Sequence, residues 1–84
     1  MIDGGCFTKE TNNSIWGRAI HPIKKDFSTG GSCGGEAGLV STFSVGIGFG
    51  VDVFGDMRYP AVCCGVCAFK PTSKRTSSIG VTQI

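Results

Sequence analysis

Five cysteines are the first residues in this sequence that could do chemistry, because thiolates bind zinc and act as nucleophiles. The candidate zinc ligands are Cys63, Cys64 and Cys67, with Cys6, Cys33 or His21 completing the set. A structural zinc site normally has two separated ligand pairs, and this sequence has a single Cys-x-x-Cys pair. We therefore expect small buried thiols and no metal site. A non-catalytic cysteine-containing binding module, with or without zinc, is the alternative.

A second candidate is the glycine-rich segment 29–36, which reads Thr-Gly-Gly-Ser-Cys-Gly-Gly-Glu. Four glycines in six positions are incompatible with a stable helix or strand, so we expect a loop that exists for its backbone geometry. Such a loop before a helix can bind phosphate, but the P-loop pattern requires Gly-Lys-Ser/Thr where this segment has Gly34-Gly35-Glu36. A carboxylate at that place repels phosphate, and nucleotide binding is therefore not predicted.

Two short helices are predicted around these residues. One begins near Glu36 and continues through Val40, with its carboxylate at the favourable end of the helix. The other has Pro60 in its first turn and runs to Cys64, and Gly65 is expected to end it.

Residues 45–53 have an alternating pattern, with apolar side chains at odd positions and glycine at 46, 48 and 50. A period of two predicts a strand. A strand with one bare face needs a helix or another backbone packed flat against that face. Residues 66–69 predict a second, short buried strand, and residues 1–28 are predicted to be mainly loop with a turn at Asn12-Asn13-Ser14.

Length and composition limit the chain further. Eighty-four residues, 14 of them glycine, allow one small domain that is not expected to fold well alone. A net charge of +2 with 17% charged residues provides no basic face, which argues against nucleic acid as a partner. The longest weakly polar stretch, 39–51, is shorter than the roughly 20 residues of a membrane-spanning helix. The uneven number of cysteines and the polar N-terminus favour an intracellular chain with reduced thiols.

Four segments in order resemble the amidase signature family, and within it most of all the fatty-acid amide hydrolases. These segments are 30–36, 48–52, 55–60 and 64–72, and the resemblance runs without a gap over residues 7–81. It implies a partial amidase-signature domain at 7–81, with residues 1–6 and 82–84 unmatched. The implied fold class is α/β, a fragment of a mixed twisted sheet covered by helices.

The resemblance also implies roles for individual residues. Family members hydrolyse amides with a serine nucleophile, a second serine joined by a cis peptide bond, and an upstream lysine as base, without metal or organic cofactor. The second serine corresponds to Ser32, with the Gly31–Ser32 bond cis. The backbone oxyanion donors correspond to Val53, Phe54, Gly55 and Asp56. The implied structural residues are Gly30, Gly31, Gly34, Gly35, Asp52 and Arg58.

Three substitutions depart from the family pattern. Asp56 stands where Gly-Gly-Ser-Ile-Arg-x-Pro places the nucleophilic serine, Phe54 replaces the first of those glycines, and Cys33 replaces the serine that follows Ser32. The catalytic lysine lies upstream in the family, and Lys9, Lys24 and Lys25 do not match its motif. We therefore expect a partial or degenerate amidase without activity. An inactive paralogue that binds lipid amides or pairs with an active subunit is a further possibility.

The resemblance finally implies partners. The substrate would be a lipid amide, and the missing remainder of the amidase fold would cover this segment. Family members that act on lipid amides associate with membranes, although this segment supplies no anchor of its own.

Overall fold

The computed structural model describes residues 8–81 as a small mixed α/β structure. Its regular elements are a two-stranded antiparallel sheet and two helices. In chain order these are β1 at Asn12–Asn13, β2 at Gly17–Arg18, α1 at Gly34–Ser41 and α2 at Arg58–Cys64. The mixed class agrees with the sequence prediction.

The hairpin of β1 and β2 forms around the predicted asparagine turn. The Asn13 side-chain oxygen accepts hydrogen bonds from the backbone N–H groups of Ile15 and Trp16, at 2.9 and 3.1 Å. Asparagine commonly forms such turns because its short side chain reaches the backbone two residues on. The turn lies at 14–16, two residues after the predicted position, because Asn12 and Asn13 themselves form β1. The prediction of a mainly irregular segment is corrected by these two short strands.

Helix α1 begins two residues before the position expected from the sequence. Glu36 lies in its first turn as predicted, but Gly34 and Gly35 also belong to the helix, so the expectation that all four glycines form a loop was wrong. Gly34 has a packing reason to be glycine. A Cβ there would collide with the hydroxyl oxygens of Thr29 and Thr11.

Helix α2 ends at Cys64, as predicted, and begins at Arg58, two residues before Pro60. Gly65 caps the helix with a left-handed backbone, φ 70°, a conformation that costs glycine little. Pro60 is the third helical residue. It fits there because the first four N–H groups of a helix have no partner within the helix.

The predicted strand at 45–53 is absent from the described residues, because no neighbouring strand is present to share backbone hydrogen bonds. Its glycine face is nevertheless packed against α1 in part. A Cβ at Gly48 would lie 3.3 Å from the Glu36 side chain, and one at Gly50 would lie 2.5 Å from the Cys33 sulfur. The opposite apolar face is open, with Phe49 81% exposed.

The predicted buried strand at 66–69 was also wrong. These four residues, all within the described part of the chain, form no regular secondary structure, and Phe69 is largely exposed. A short apolar run is compatible with a buried strand only where a sheet is available to receive it, and the described residues contain no such sheet.

Helices α1 and α2 contact each other and enclose the small core of the described residues. The buried apolar residues are Cys33, Ala37, Ala61 and Cys64, together with Pro60. Such small side chains allow the helices to approach closely but bury little apolar area. Neither helix among residues 8–81 is long and apolar enough to cross a membrane.

Candidate functional site

The site begins with the buried loop that precedes α1. Its Gly31–Ser32 peptide bond is cis, as the family resemblance implies. Gly30 has a left-handed backbone, φ 72°. A Cβ at Gly31 would lie 2.5 Å from the backbone carbonyl of Glu10. The backbone at Glu10 therefore packs directly against the cis bond, and position 31 has room only for glycine.

A buried hydroxyl holds this loop. The Thr11 Oγ1 atom lies 2.8 Å from the carbonyl oxygen of Gly30 and 3.1 Å from that of Ser32, to which it can donate. The same oxygen accepts a hydrogen bond from the Gly34 N–H at 2.8 Å. Thr11 could not be predicted as a site residue, because a threonine in a polar segment carries no signal of a contact about 20 positions away.

Asp52 organises the turn between the apolar segment and α2. Its two carboxylate oxygens accept backbone N–H groups from Gly55 at 2.8 Å, Arg58 at 3.2 Å and Met57 at 3.4 Å. They also accept two hydrogen bonds from the Arg58 guanidinium, at 2.8 and 2.9 Å. Asp52 and Arg58, which the resemblance implies as structural residues, thus form an ion pair, and the Asp52 carboxylate also holds the backbone of the turn.

Burial and charge differ between the two members of this ion pair. The Asp52 side chain is 2% exposed and that of Arg58 is 51% exposed. The guanidinium hydrogen bonds, assisted by the backbone N–H groups, hold the pKa of the Asp52 carboxyl well below its usual range, although burial opposes this shift. The carboxylate in turn raises the pKa of Arg58.

Asp56, at the position of the expected nucleophile, is also buried, with 7% of its surface exposed. Its Oδ2 atom accepts hydrogen bonds from the backbone N–H groups of Val53 and Phe54, both at 2.9 Å. Its carbonyl oxygen accepts the N–H of Cys33 at 3.0 Å. This last bond joins the turn to the loop at 29–33 that contains the cis peptide bond, here called the cis loop, because Cys33 directly follows Ser32.

A cavity of about 310 Å³ lies where the loop and the turn meet. It is lined by Thr8, Lys9, Gly31, Phe54, Gly55, Asp56 and Tyr59. The structure therefore brings four of the sequence-predicted residues, on two separate segments, to one cavity. Ser32 lies beside it in the buried loop, and Asp52 and Arg58 support the turn from outside the cavity lining.

Lys9 and Tyr59 also line the cavity, although neither was predicted as a site residue. The Lys9 ammonium lies 5.8 Å from the centre of the Tyr59 ring, within the range of a cation–π contact. A hydrogen bond with the Cys63 side chain is the main cause that raises the pKa of Tyr59. The cavity wall thus has an aromatic ring and a cation as well as the predicted residues.

Three of the candidate zinc ligands lie on α2 or just after it and do not line the cavity. Cys63, Cys64 and Cys67 are free thiols, of which Cys64 is buried and Cys67 exposed. Burial raises the pKa of the Cys64 thiol. Between residues 8 and 81, no three His, Cys, Asp or Glu side chains are grouped so that they could hold a metal ion. Cys6 lies outside the described residues.

Comparison with known proteins decides the family, because the model of the amidase family matches residues 2–84. The chain belongs to the amidase family. Among its relatives, fatty-acid amide hydrolase 1 of Sus scrofa is 36% identical over 80 residues, covering 95% of this chain and 14% of that protein. Vitamin D3 hydroxylase-associated protein of Gallus gallus is 39% identical over 81 residues, covering 96% of this chain and 16% of that protein.

A bacterial hydrolase is also among the relatives. Indoleacetamide hydrolase of Pseudomonas syringae pv. syringae is 36% identical over 72 residues, covering 86% of this chain and 16% of that protein. The chain therefore spans only 14 to 16% of the length of these curated relatives. No solved structure matches it significantly.

Proposed function

We propose that this protein has the site of a serine amidase that takes fatty-acid amides, and that the chain with Asp56 at the nucleophile position does not hydrolyse them. The observation that carries the proposal is a cavity at which the cis loop and the 52–58 turn meet. Family membership and the names of the relatives support amide hydrolysis as the parent reaction.

In the parent reaction a serine hydroxyl attacks the amide carbonyl and forms an acyl-serine, while backbone N–H groups stabilise the developing oxyanion. Ser32 would relay a proton between nucleophile and lysine base, and the N–H groups of residues 53–56 would receive the oxyanion. This chemistry needs no metal or organic cofactor.

Asp56 is poorly suited to replace the serine. A carboxylate that attacks an amide has to form a mixed anhydride, which is a less stable intermediate than an ester. The Asp56 carboxylate also lies within hydrogen-bond distance of two of the proposed oxyanion donors. Two negative oxygens cannot share those donors without repulsion, so the transition state would lose its stabilisation.

The lysine base is the second requirement. A lysine acts as a base near neutral pH only when burial or a neighbouring cation lowers its pKa. Lys9 lines the cavity but does not match the motif of the family's lysine. A change of Asp56 to serine in these 84 residues is therefore not sufficient to create an amidase.

The remainder of the amidase fold is the proposed partner of the exposed apolar face at 45–53. Phe49 and Ile47 on this face are 81% and 68% exposed, and covering such side chains contributes about 1.5–3 kcal/mol each. The fold implied for the whole is a mixed twisted sheet covered by helices, in which 45–53 would find neighbouring strands.

Hydrolysis of a simple long-chain fatty-acid amide tests this proposal. The purified chain and its Asp56→Ser and Asp56→Asn variants would be incubated with the amide and fatty-acid release measured. Fatty-acid amide hydrolase 1 of Sus scrofa serves as the positive control. We expect no release by any of the three chains. Turnover by the unmodified chain would contradict the proposal, and turnover by Asp56→Ser alone would show that these residues contain a competent base.

A further inference from the structure

The segment that follows α2 is basic and rich in hydroxyl groups. Asp56 is the last acidic residue in the sequence, so residues 65–84 carry three cations, Lys70, Lys74 and Arg75, and no acidic side chain. Residues 70–78 also include five serine or threonine side chains, at 72, 73, 76, 77 and 78. None of residues 70–78 lines the cavity at the cis loop, so the proposed function leaves this segment unexplained.

Ser77 is distinguished from the other hydroxyl residues by the charges that precede it. Lys74 stands three positions before it and Arg75 two positions before it, and no other serine or threonine in the sequence has a cation at both places. Protein kinases select substrates by charge pattern, and carboxylates in a kinase cleft bind such cations through charge-assisted hydrogen bonds. We propose that Ser77 is a phosphorylation site for a protein kinase that recognises basic residues before the acceptor hydroxyl.

The structure leaves this acceptor accessible. Residues 72–80 are exposed, and residues 66–81 form no helix or strand. The Ser77 Oγ atom accepts the N–H of Ile79 at 3.2 Å, which uses one lone pair of the oxygen and not its O–H group. A kinase has to hold the segment around the acceptor in its own cleft, and this costs little where few buried contacts are lost.

Ser28 is a second serine that follows a lysine by three positions, and the structure treats it differently. Lys25 precedes it at that distance, but Asp26 stands two positions before it and would repel the carboxylates of such a kinase. The Ser28 hydroxyl donates a hydrogen bond to the Glu10 carboxylate at 2.7 Å and accepts one from the Gly30 N–H at 2.9 Å. Its proton is therefore engaged, and we expect no phosphate at Ser28.

The reaction is a phosphoryl transfer from ATP, which the kinase binds together with Mg²⁺. The Ser77 Oγ atom attacks the γ-phosphorus, the new O–P bond replaces the bond to the β–γ bridging oxygen, and ADP leaves. The hydroxyl proton passes to the catalytic aspartate of the kinase. This chain supplies only the acceptor and the cations that position it.

The surroundings of Ser77 also suit the phosphorylated product. Ser77 lines a second cavity, of about 340 Å³, together with Lys70 and Lys74. A phosphoserine carries about two negative charges at neutral pH, which lysine ammonium groups neutralise. Asp52 is the one carboxylate in the lining of this cavity, and its charge is already paired with Arg58.

Phosphate incorporation from radiolabelled ATP, catalysed by the cyclic-AMP-dependent protein kinase, tests the proposal on the full chain. We expect incorporation at Ser77, located by peptide mass spectrometry, and none at Ser28. Ser77→Ala should lower incorporation by about tenfold or more, and Arg75→Gln should do the same although the acceptor remains. Ser73→Ala is the matched control and should leave incorporation unchanged, because Ser73 is an exposed hydroxyl residue of the same segment with proline two positions before it.

Unchanged incorporation in Ser77→Ala would overturn the proposal, and so would a phosphate located mainly at another residue of the unchanged chain. No incorporation into the unchanged chain would overturn it as well. Peptide mapping of the unchanged chain requires no variant, so the result does not depend on the folding of Ser77→Ala. Amide hydrolysis does not affect the result either, because residues 70–78 lie outside the lining of the cavity at the cis loop.

Discussion

The cis loop at 29–33 and the turn at 52–58 are held by different kinds of interaction. In the loop, Gly31 packs directly on the backbone of Glu10, and a neutral hydroxyl, that of Thr11, bonds to the surrounding backbone. In the turn, a buried carboxylate, that of Asp52, binds backbone N–H groups and an arginine. The stability of the loop should therefore depend on side-chain volume and not on pH. The stability of the turn should depend on pH.

The largest expected effect comes from adding a methyl group to the loop. Gly31→Ala would place its Cβ 2.5 Å from the Glu10 backbone, and because backbone cannot rotate away, we expect a loss of about 3 kcal/mol in the free energy of unfolding. Circular dichroism during urea denaturation measures this.

Gly35→Ala is the matched control, since a Cβ at this helical glycine meets nothing within 4 Å. It should stabilise the chain by about 0.5–1 kcal/mol. Equal stability of the two variants would show that the close packing at the cis loop does not exist.

The next largest effect is expected from Asp52→Asn at neutral pH. The variant loses the charge that strengthens the bonds to Arg58 and to the backbone of the turn, which should cost about 2 kcal/mol. Asp26→Asn, at an exposed position, is the control and should change stability little. A loss no greater than that of the control would mean that the ion pair does not organise the turn.

The pH dependence of the same pair gives a smaller, signed prediction. The pKa of Asp52 is depressed in the folded chain, and the unfolded value is about 3.9. A group with a depressed folded pKa adds stability above its unfolded pKa and loses it as the pH falls toward the folded value. The stability difference between the unchanged chain and Asp52→Asn should therefore be full at pH 7 and begin to shrink below about pH 4. A difference that grows on acidification would contradict this sign.

The smallest effect is expected from Thr11→Val, which keeps the shape of the side chain and removes its hydroxyl. The buried N–H of Gly34 then loses its acceptor, at a cost of about 1 kcal/mol. Amide hydrogen exchange at Gly34 should accelerate in Thr11→Val and stay slow in Thr11→Ser. Unchanged exchange in Thr11→Val would mean that the Thr11 hydroxyl does not hold the loop.

Local signals in the sequence predicted the two helices but not the sheet, and the candidate site residues came from the family resemblance. Gly65 ends α2 because the left-handed backbone conformation at the end of a helix favours glycine. Glu36 lies in the first turn of α1, where a carboxylate is favourable. Residues 45–53 have the alternating pattern of a strand, but a strand also needs a neighbouring strand to share its backbone hydrogen bonds. The pattern alone does not show whether such a neighbour is present. Thr11 could not be predicted because its contacts are distant in sequence. The internal bonds of Asp56 could not be predicted either, since they depend on the bend of the turn.

The cis loop and the 52–58 turn meet at one cavity, and proton NMR measures their contact most directly. A Cβ at Gly30 would lie 2.9 Å from the Tyr59 ring, and the Cys33 N–H bonds to the Asp56 carbonyl at 3.0 Å. We predict nuclear Overhauser effects between the Gly30 α-protons and the Tyr59 ring protons, together with slow exchange of the Cys33 amide. Absence of those effects, with a rapidly exchanging Cys33 amide, would contradict the existence of a shared site.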